Sequence, residues 1–158
     1  MIVFELLLDL VTNFALASAF ASWFVAQLLK VVTGVFRRKK FSVIEMFFGT
    51  GGMPSSHTAS VTALACAVAI KMGLGSIEFA MCAILAMIVM RDATGMRRQV
   101  GEQAKILNDL LQKLTTAKDP ESQQKALDEL AGHTPLQVLV GALLGVAVSI
   151  ALKYLFYN

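Results

Sequence analysis

Long apolar runs set the limits on what this chain can fold into. The stretch FALASAFASWFVAQLLKVVTGVF, Phe14 to Phe36, carries a single charge, Lys30. A helix needs about 20 such residues to cross a hydrocarbon core ~30 Å thick. Three further stretches qualify or nearly do: Ser55 to Met72, Ile77 to Met90 and Leu136 to Tyr157. The expected fold class is therefore all-α, a polytopic membrane helical bundle with about four transmembrane helices. Composition agrees: 56% of the 158 residues are hydrophobic and 16% charged, where a soluble domain carries ~25% charge. A collagenous, disordered or disulfide-framework chain is excluded, and one membrane domain over residues 1–158 is expected. Cys66 and Cys82 fall inside apolar runs and read as small packing residues.

Met1 to Leu10 is apolar but interrupted by Glu5 and Asp9. It reads as an interfacial segment or a separate short helix, and with no basic start it does not read as a signal peptide. Only a few residues around Gly73 and Gly75 join the middle two runs, which makes them a helical hairpin. Ala59, Ala63 and Ala67, and the Gly141-x-x-x-Gly145 pair, would let helices approach closely. Packing within one chain is the preferred use of that spacing, and oligomeric state is left open.

Basic residues predict the orientation, because loops kept in the cytoplasm are rich in Lys and Arg. With the first span running inward, Lys30, Arg37 to Lys40, Arg91, Arg97, Arg98, Lys105, Lys113, Lys118 and Lys125 all lie at or beyond cytoplasmic ends. Lys71 and Lys153 oppose them. In a bacterium this would be an integral protein of the cytoplasmic membrane. The polar insertion, about residues 97–132, shows Ile106, Leu107, Leu110, Leu111 and Leu114 at helical spacing, then Asp119-Pro120-Glu121 opening a second helix through Leu130. A cytoplasmic helical hairpin is expected there.

The net charge of +3 could suggest nucleic acid. No aromatic-basic interleaving or zinc spacing accompanies it, so nucleic acid is not expected as a partner. The chain has two histidines. His57 closes Gly51-Gly52-Met53-Pro54-Ser55-Ser56-His57, a glycine-rich loop entering a helix with Pro54 near its first position. Backbone N–H groups and the positive helix end make such a loop, with Gly52, Ser55 and Ser56, a ready phosphate site. In the plainer reading the serines only cap the helix and His57 sits wet at the interface.

Lys30 and Arg37 are two turns apart, about 10 Å along one helical face. A basic cluster after a span is commonly a topology anchor, and most of the Arg37–Lys40 run fits that role. The segment Arg91-Asp92-Ala93-Thr94-Gly95-Met96-Arg97-Arg98 is dense for an anchor, and arginine suits bidentate contact with phosphate oxygens. His133, in Gly132-His133-Thr134-Pro135-Leu136-Gln137, starts the last span on the same expected side as His57. Two histidines and cationic donors, without a recognisable metal cluster, suit phosphoryl transfer through a phosphohistidine. One histidine would attack phosphorus and the other protonate the leaving oxygen. No metal or other cofactor is expected.

These motifs resemble the type 2 phosphatidic acid phosphatase and vanadium haloperoxidase superfamily, most closely its small divergent bacterial and plastid branch. The branch's segments read here as GGMPSSH (Gly51 to His57), DATGMRR (Asp92 to Arg98), GEQAKILN (Gly101 to Asn108) and GHTPLQV (Gly132 to Val138). Lys30 and Arg37 match the superfamily's K-x6-R spacing, while its S-R-x5-H segment is split between Arg97 or Arg98 and His133. The resemblance implies that His133 is the nucleophile and His57 the acid. Lys30, Arg37, Ser55, Ser56 and an arginine of the pair would bind phosphoryl oxygens. Gln137 stands where the family has a carboxylate that would orient the nucleophilic histidine, so either another acid such as Asp92 or Glu102 takes that role or activity is reduced. The comparable Asp-to-Asn change in serine proteases costs on the order of 10⁴ in rate. The implied substrate is a membrane lipid phosphate, either a phospholipid monophosphate or a prenyl (di)phosphate. A non-catalytic lipid-phosphate binder, carrier or scaffold is the alternative.

Overall fold

A computed structural model describes residues 2–36, 53–115 and 133–157, and every regular element among them is an α-helix. The acid-spotted N-terminal segment is a helix of its own, α1 (Ile2–Thr12), and α2 (Phe14–Phe36) coincides with the first apolar run. Asn13 separates them. Its side-chain oxygen accepts the N–H groups of Ala15 and Leu16 at 3.0 and 3.1 Å, which caps the spanning helix where the apolar run begins.

Helix α3 (Ser56–Met72) ends at Gly73, whose φ of 87° lies in the left-handed region that glycine adopts without a Cβ penalty. Ser76 then caps α4 (Ile77–Thr94) by accepting the Phe79 N–H at 3.1 Å. The two helices pack as the expected hairpin. Helix α4 does not stop at Met90 as the apolar run suggested. Arg91 and Asp92 are compatible with helix and extend it to Thr94, and Gly95 ends it. Helix α5 (Met96–Thr115) follows at once, amphipathic as its spacing predicted. The second helix expected near 119–132 lies outside the described residues. Helix α6 (Pro135–Phe156) completes the chain's described part.

Among the described residues, three stretches are long and apolar enough to cross a membrane: Phe14–Thr33, Ile77–Leu110 and Pro135–Phe156. The expected second span is α3, which has 17 residues and is rich in Ala, Ser and Thr. Its character follows from its place, packed against α2, α4 and α6. A central helix needs small residues more than greasy ones, because lipid does not drive helices together and close backbone approach must. Ala59, Ala63 and Ala67 form a fully buried row on α3. Gly141, Gly145 and Ser149 form the matching row on α6. A Cβ added to Gly141 would meet the Ser55 carbonyl oxygen at 2.6 Å, and one on Gly145 would overlap the Ala59 carbonyl oxygen. The large side chains Phe20, Phe24, Leu139 and Leu143 point outward, as expected where lipid is the solvent. Cys66 and Cys82 are half-buried and free.

Candidate active site

The buried face of α2 repeats every four residues as Ser18, Ser22, Ala26 and Lys30, so helical geometry carries Lys30 into the bundle and not toward lipid. Its side chain is 6% exposed, and the ammonium donates to the Ser56 hydroxyl at 3.1 Å. One turn on, Thr33 donates to the Met53 carbonyl at 3.0 Å and to the Lys30 carbonyl at 3.1 Å. Helix α2 therefore grips the loop before α3 at Met53 and the first residue of α3 at Ser56.

Within that loop Ser55 is the N-cap of α3. Its oxygen accepts the Thr58 N–H at 3.4 Å and the Thr58 hydroxyl at 3.0 Å, while all three groups are buried. Pro54 is not the first helical residue. It precedes the cap and follows a cis Met53–Pro54 peptide bond. Ser56 and not Ser55 faces Lys30, so the plainer reading of the serines holds for one of the two. His57 is exposed on the first turn of α3, and Gly52 and Arg37 lie outside the described residues.

Two backbone bonds bring the remaining elements to the same place. The Ser55 N–H donates to the Gln137 carbonyl at 3.2 Å, and the His133 N–H donates to the Ala93 carbonyl at 3.0 Å. His133 is thus fixed between the end of α4 and the start of α6, and it is 5% exposed. Asp92, half-buried, is the neighbour of the residue that holds it. Arg97 and Arg98 fall in the first turn of α5, just past the same corner.

The Gln137 side chain is engaged at the start of α6. Its amide oxygen accepts the Thr134 N–H at 2.9 Å, and the Thr134 hydroxyl accepts the Gln137 N–H at 3.3 Å. This reciprocal pair is a capping box, with Pro135 at the first helical position. The signal stood in the sequence as Thr-Pro-Leu-Gln, since Ser/Thr followed three residues later by Glu or Gln is the motif's signature. Thr33 was also missed; its position three residues after Lys30, on one face of a helix, was the available clue. Nothing in the pattern pointed to the Ala93 carbonyl.

The electrostatics favour an anion. A buried ammonium taken out of water is costly unless paired. The described partner of Lys30 is a neutral hydroxyl, and no ion pair with a carboxylate is seen among the described residues. Among those residues, too, no group of three His, Cys, Asp or Glu side chains could hold a metal ion.

Comparison with known proteins agrees with the motif order. The chain is 43% identical over 160 residues to the uncharacterized membrane protein YuiD of Bacillus subtilis (strain 168), covering 94% of this chain and 99% of that protein. No solved structure matches. The profile of the Divergent PAP2 family matches residues 11–148. On that match, spanning all but the two ends, the chain belongs to the Divergent PAP2 family.

Proposed function

We propose that this protein is a membrane-embedded lipid phosphate phosphatase that hydrolyses a phospholipid monophosphate or a prenyl (di)phosphate through a phosphohistidine. The observation that carries the reading is the buried Lys30 ammonium, held on Ser56 with no carboxylate among its described partners, at the corner where His133 is fixed. A phosphate monoester supplies the missing negative charge. In the proposed reaction a His133 ring nitrogen attacks phosphorus and the bond to the leaving oxygen breaks. His57 gives that oxygen its proton, and water then cleaves the P–N bond to release phosphate. Lys30, with Ser56 and the arginines of the Arg97-Arg98 pair, balances charge on the phosphoryl oxygens. The distribution of basic residues supports a site facing the cytoplasm.

The capping box bears on whether position 137 disables the enzyme. Glutamine and glutamate both complete such a box, so the departure from the family's carboxylate leaves the helix start intact. The second reading, binding without turnover, draws on the same residue, because the Gln137 amide oxygen is on Thr134 and supplies no charge to an imidazolium. One experiment separates them. Purified protein in detergent with chelator should release phosphate from phosphatidic acid or a prenyl diphosphate, and His133→Ala should lower this by ~10³-fold or more. Release that persists in the variant overturns the mechanism, and lipid-phosphate binding without release in the native protein establishes the second reading.

A further inference from the structure

Helix α5 presents a face that the bundle does not cover. At about 100° per residue, Val100, Ile106, Leu107 and Leu110 fall within about 120° of one another. All four are between 47% and 61% exposed. Gly101 and Ala104, on the adjoining side, are buried. Glu102, Lys105 and Asp109 occupy the opposite side and are exposed. The helix thus has a buried edge, a charged back and a mainly apolar front, shared by Gln99 and Gln103, that the described residues leave exposed.

We propose that this front is a membrane-docking surface. Helix α5 lies in the headgroup region of the leaflet nearest Lys30 and His133, with Val100, Ile106, Leu107 and Leu110 entering the acyl chains. Two observations commit the surface to a bilayer. The first is continuity: Gly95 alone separates α5 from the spanning helix α4. The start of α5 is therefore at the depth where the chain leaves the hydrocarbon. The second is charge: between Arg91 and Thr115 stand five basic residues, Arg91, Arg97, Arg98, Lys105 and Lys113, against three acidic ones. That excess suits the anionic headgroups that draw amphipathic helices to an interface, where their apolar faces enter by ~5–10 Å. The inference needs only the membrane placement of the bundle and stands apart from the proposed reaction.

The test uses the full chain in vesicles of phosphatidylglycerol and phosphatidylcholine, with Cys66→Ala and Cys82→Ala removing the native thiols. A single environment-sensitive fluorophore is attached at Leu107→Cys or, separately, at Asp109→Cys. The probe at 107 should be blue-shifted, quenched by lipids spin-labelled near the top of the chain, and insensitive to aqueous iodide. The probe at 109 should show the reverse. Equal iodide quenching at both positions overturns the proposal. So does a probe at 107 shielded from both quenchers, which would mean that protein covers the face, and disulfide-linked pairs through residue 107 would identify a second copy as that cover. Should the labelled Leu107→Cys protein not fold, Ile106→Cys on the same face carries the same outcomes.

Discussion

Lys30 and Lys71 sit at opposite ends of the same helix seam and are treated in opposite ways. Lys30 is buried and donates to a serine hydroxyl. Lys71 is exposed, with its ammonium 6.0 Å from the centre of the Phe14 ring, and Phe14 packs on Tyr157 at 4.9 Å between ring centroids. Lys153, at that same far end, donates to the Tyr157 carbonyl at 2.6 Å. The far end is an aromatic and cationic plug of the kind that anchors a helix at an interface. The near end buries a charge whose described partner is a neutral hydroxyl. Two lysines beside apolar residues look alike in sequence, and the difference between them lies in burial and partner.

The largest test of that contrast is removal of each charge. Lys30→Met should cut phosphate release by ~10²-fold or more, since losing one donor that stabilises developing charge typically costs about 10²–10³ in kcat. Lys71→Met should stay within about two-fold, as an exposed cation contributes little. Lys30→Met should also melt no lower than wild type, because replacing a buried charge by an apolar side chain is often neutral or stabilising. Lost turnover without lost stability is the signature of a ligand site.

Glycines sharpen the same comparison. Gly141→Ala drives a methyl against the Ser55 carbonyl and should cost ~1–3 kcal/mol in unfolding measured in detergent, with turnover falling as the loop shifts. At the far end a Cβ on Gly75 meets nothing within 4 Å, and Gly75→Ala should be neutral or stabilising by up to ~1 kcal/mol. Thr33→Val removes the hydroxyl that holds Met53. It should lower kcat/KM about fivefold, in line with ~1 kcal/mol for one hydrogen bond, and Thr33→Ser should restore it. The smallest effect is expected at Gln137→Glu, which keeps the capping box and should change kcat by no more than about two-fold. A rise of several orders of magnitude would instead mean that position 137 orients His133 through its charge.

Much of this fold was legible because long apolar runs report spanning helices and rows of small residues report where those helices touch. The run Phe14 to Phe36 coincides with α2, and the small-residue rows on α3 and α6 meet as their spacing implied. That Lys30 and the two histidines share one side of the membrane was legible from orientation, and their roles came only through the resemblance, since each sits on a different element. What escaped was mostly hydrogen bonding. Apolar counting ended α4 at Met90, although charged residues continue a helix until a glycine stops it. Pro54 was placed near the first helical position and stands one residue before the cap, because proline's fixed φ suits both places. Gln137 was weighed as a lost carboxylate when its spacing from Thr134 already described a cap. Periodicity shows which face is buried, and says nothing about which neighbour a polar group will choose.

The central claim, that the Lys30 end of the seam is an anion site and the Lys71 end is not, is tested most directly by ligand-dependent melting. Wild type, Lys30→Met and Lys71→Met in detergent would be titrated with short-chain phosphatidic acid, which raises the melting temperature of any protein whose native state binds it. The melting temperature should rise with lipid for wild type and Lys71→Met and stay flat for Lys30→Met. An equal rise in Lys30→Met, or loss of the rise in Lys71→Met alone, would contradict the account.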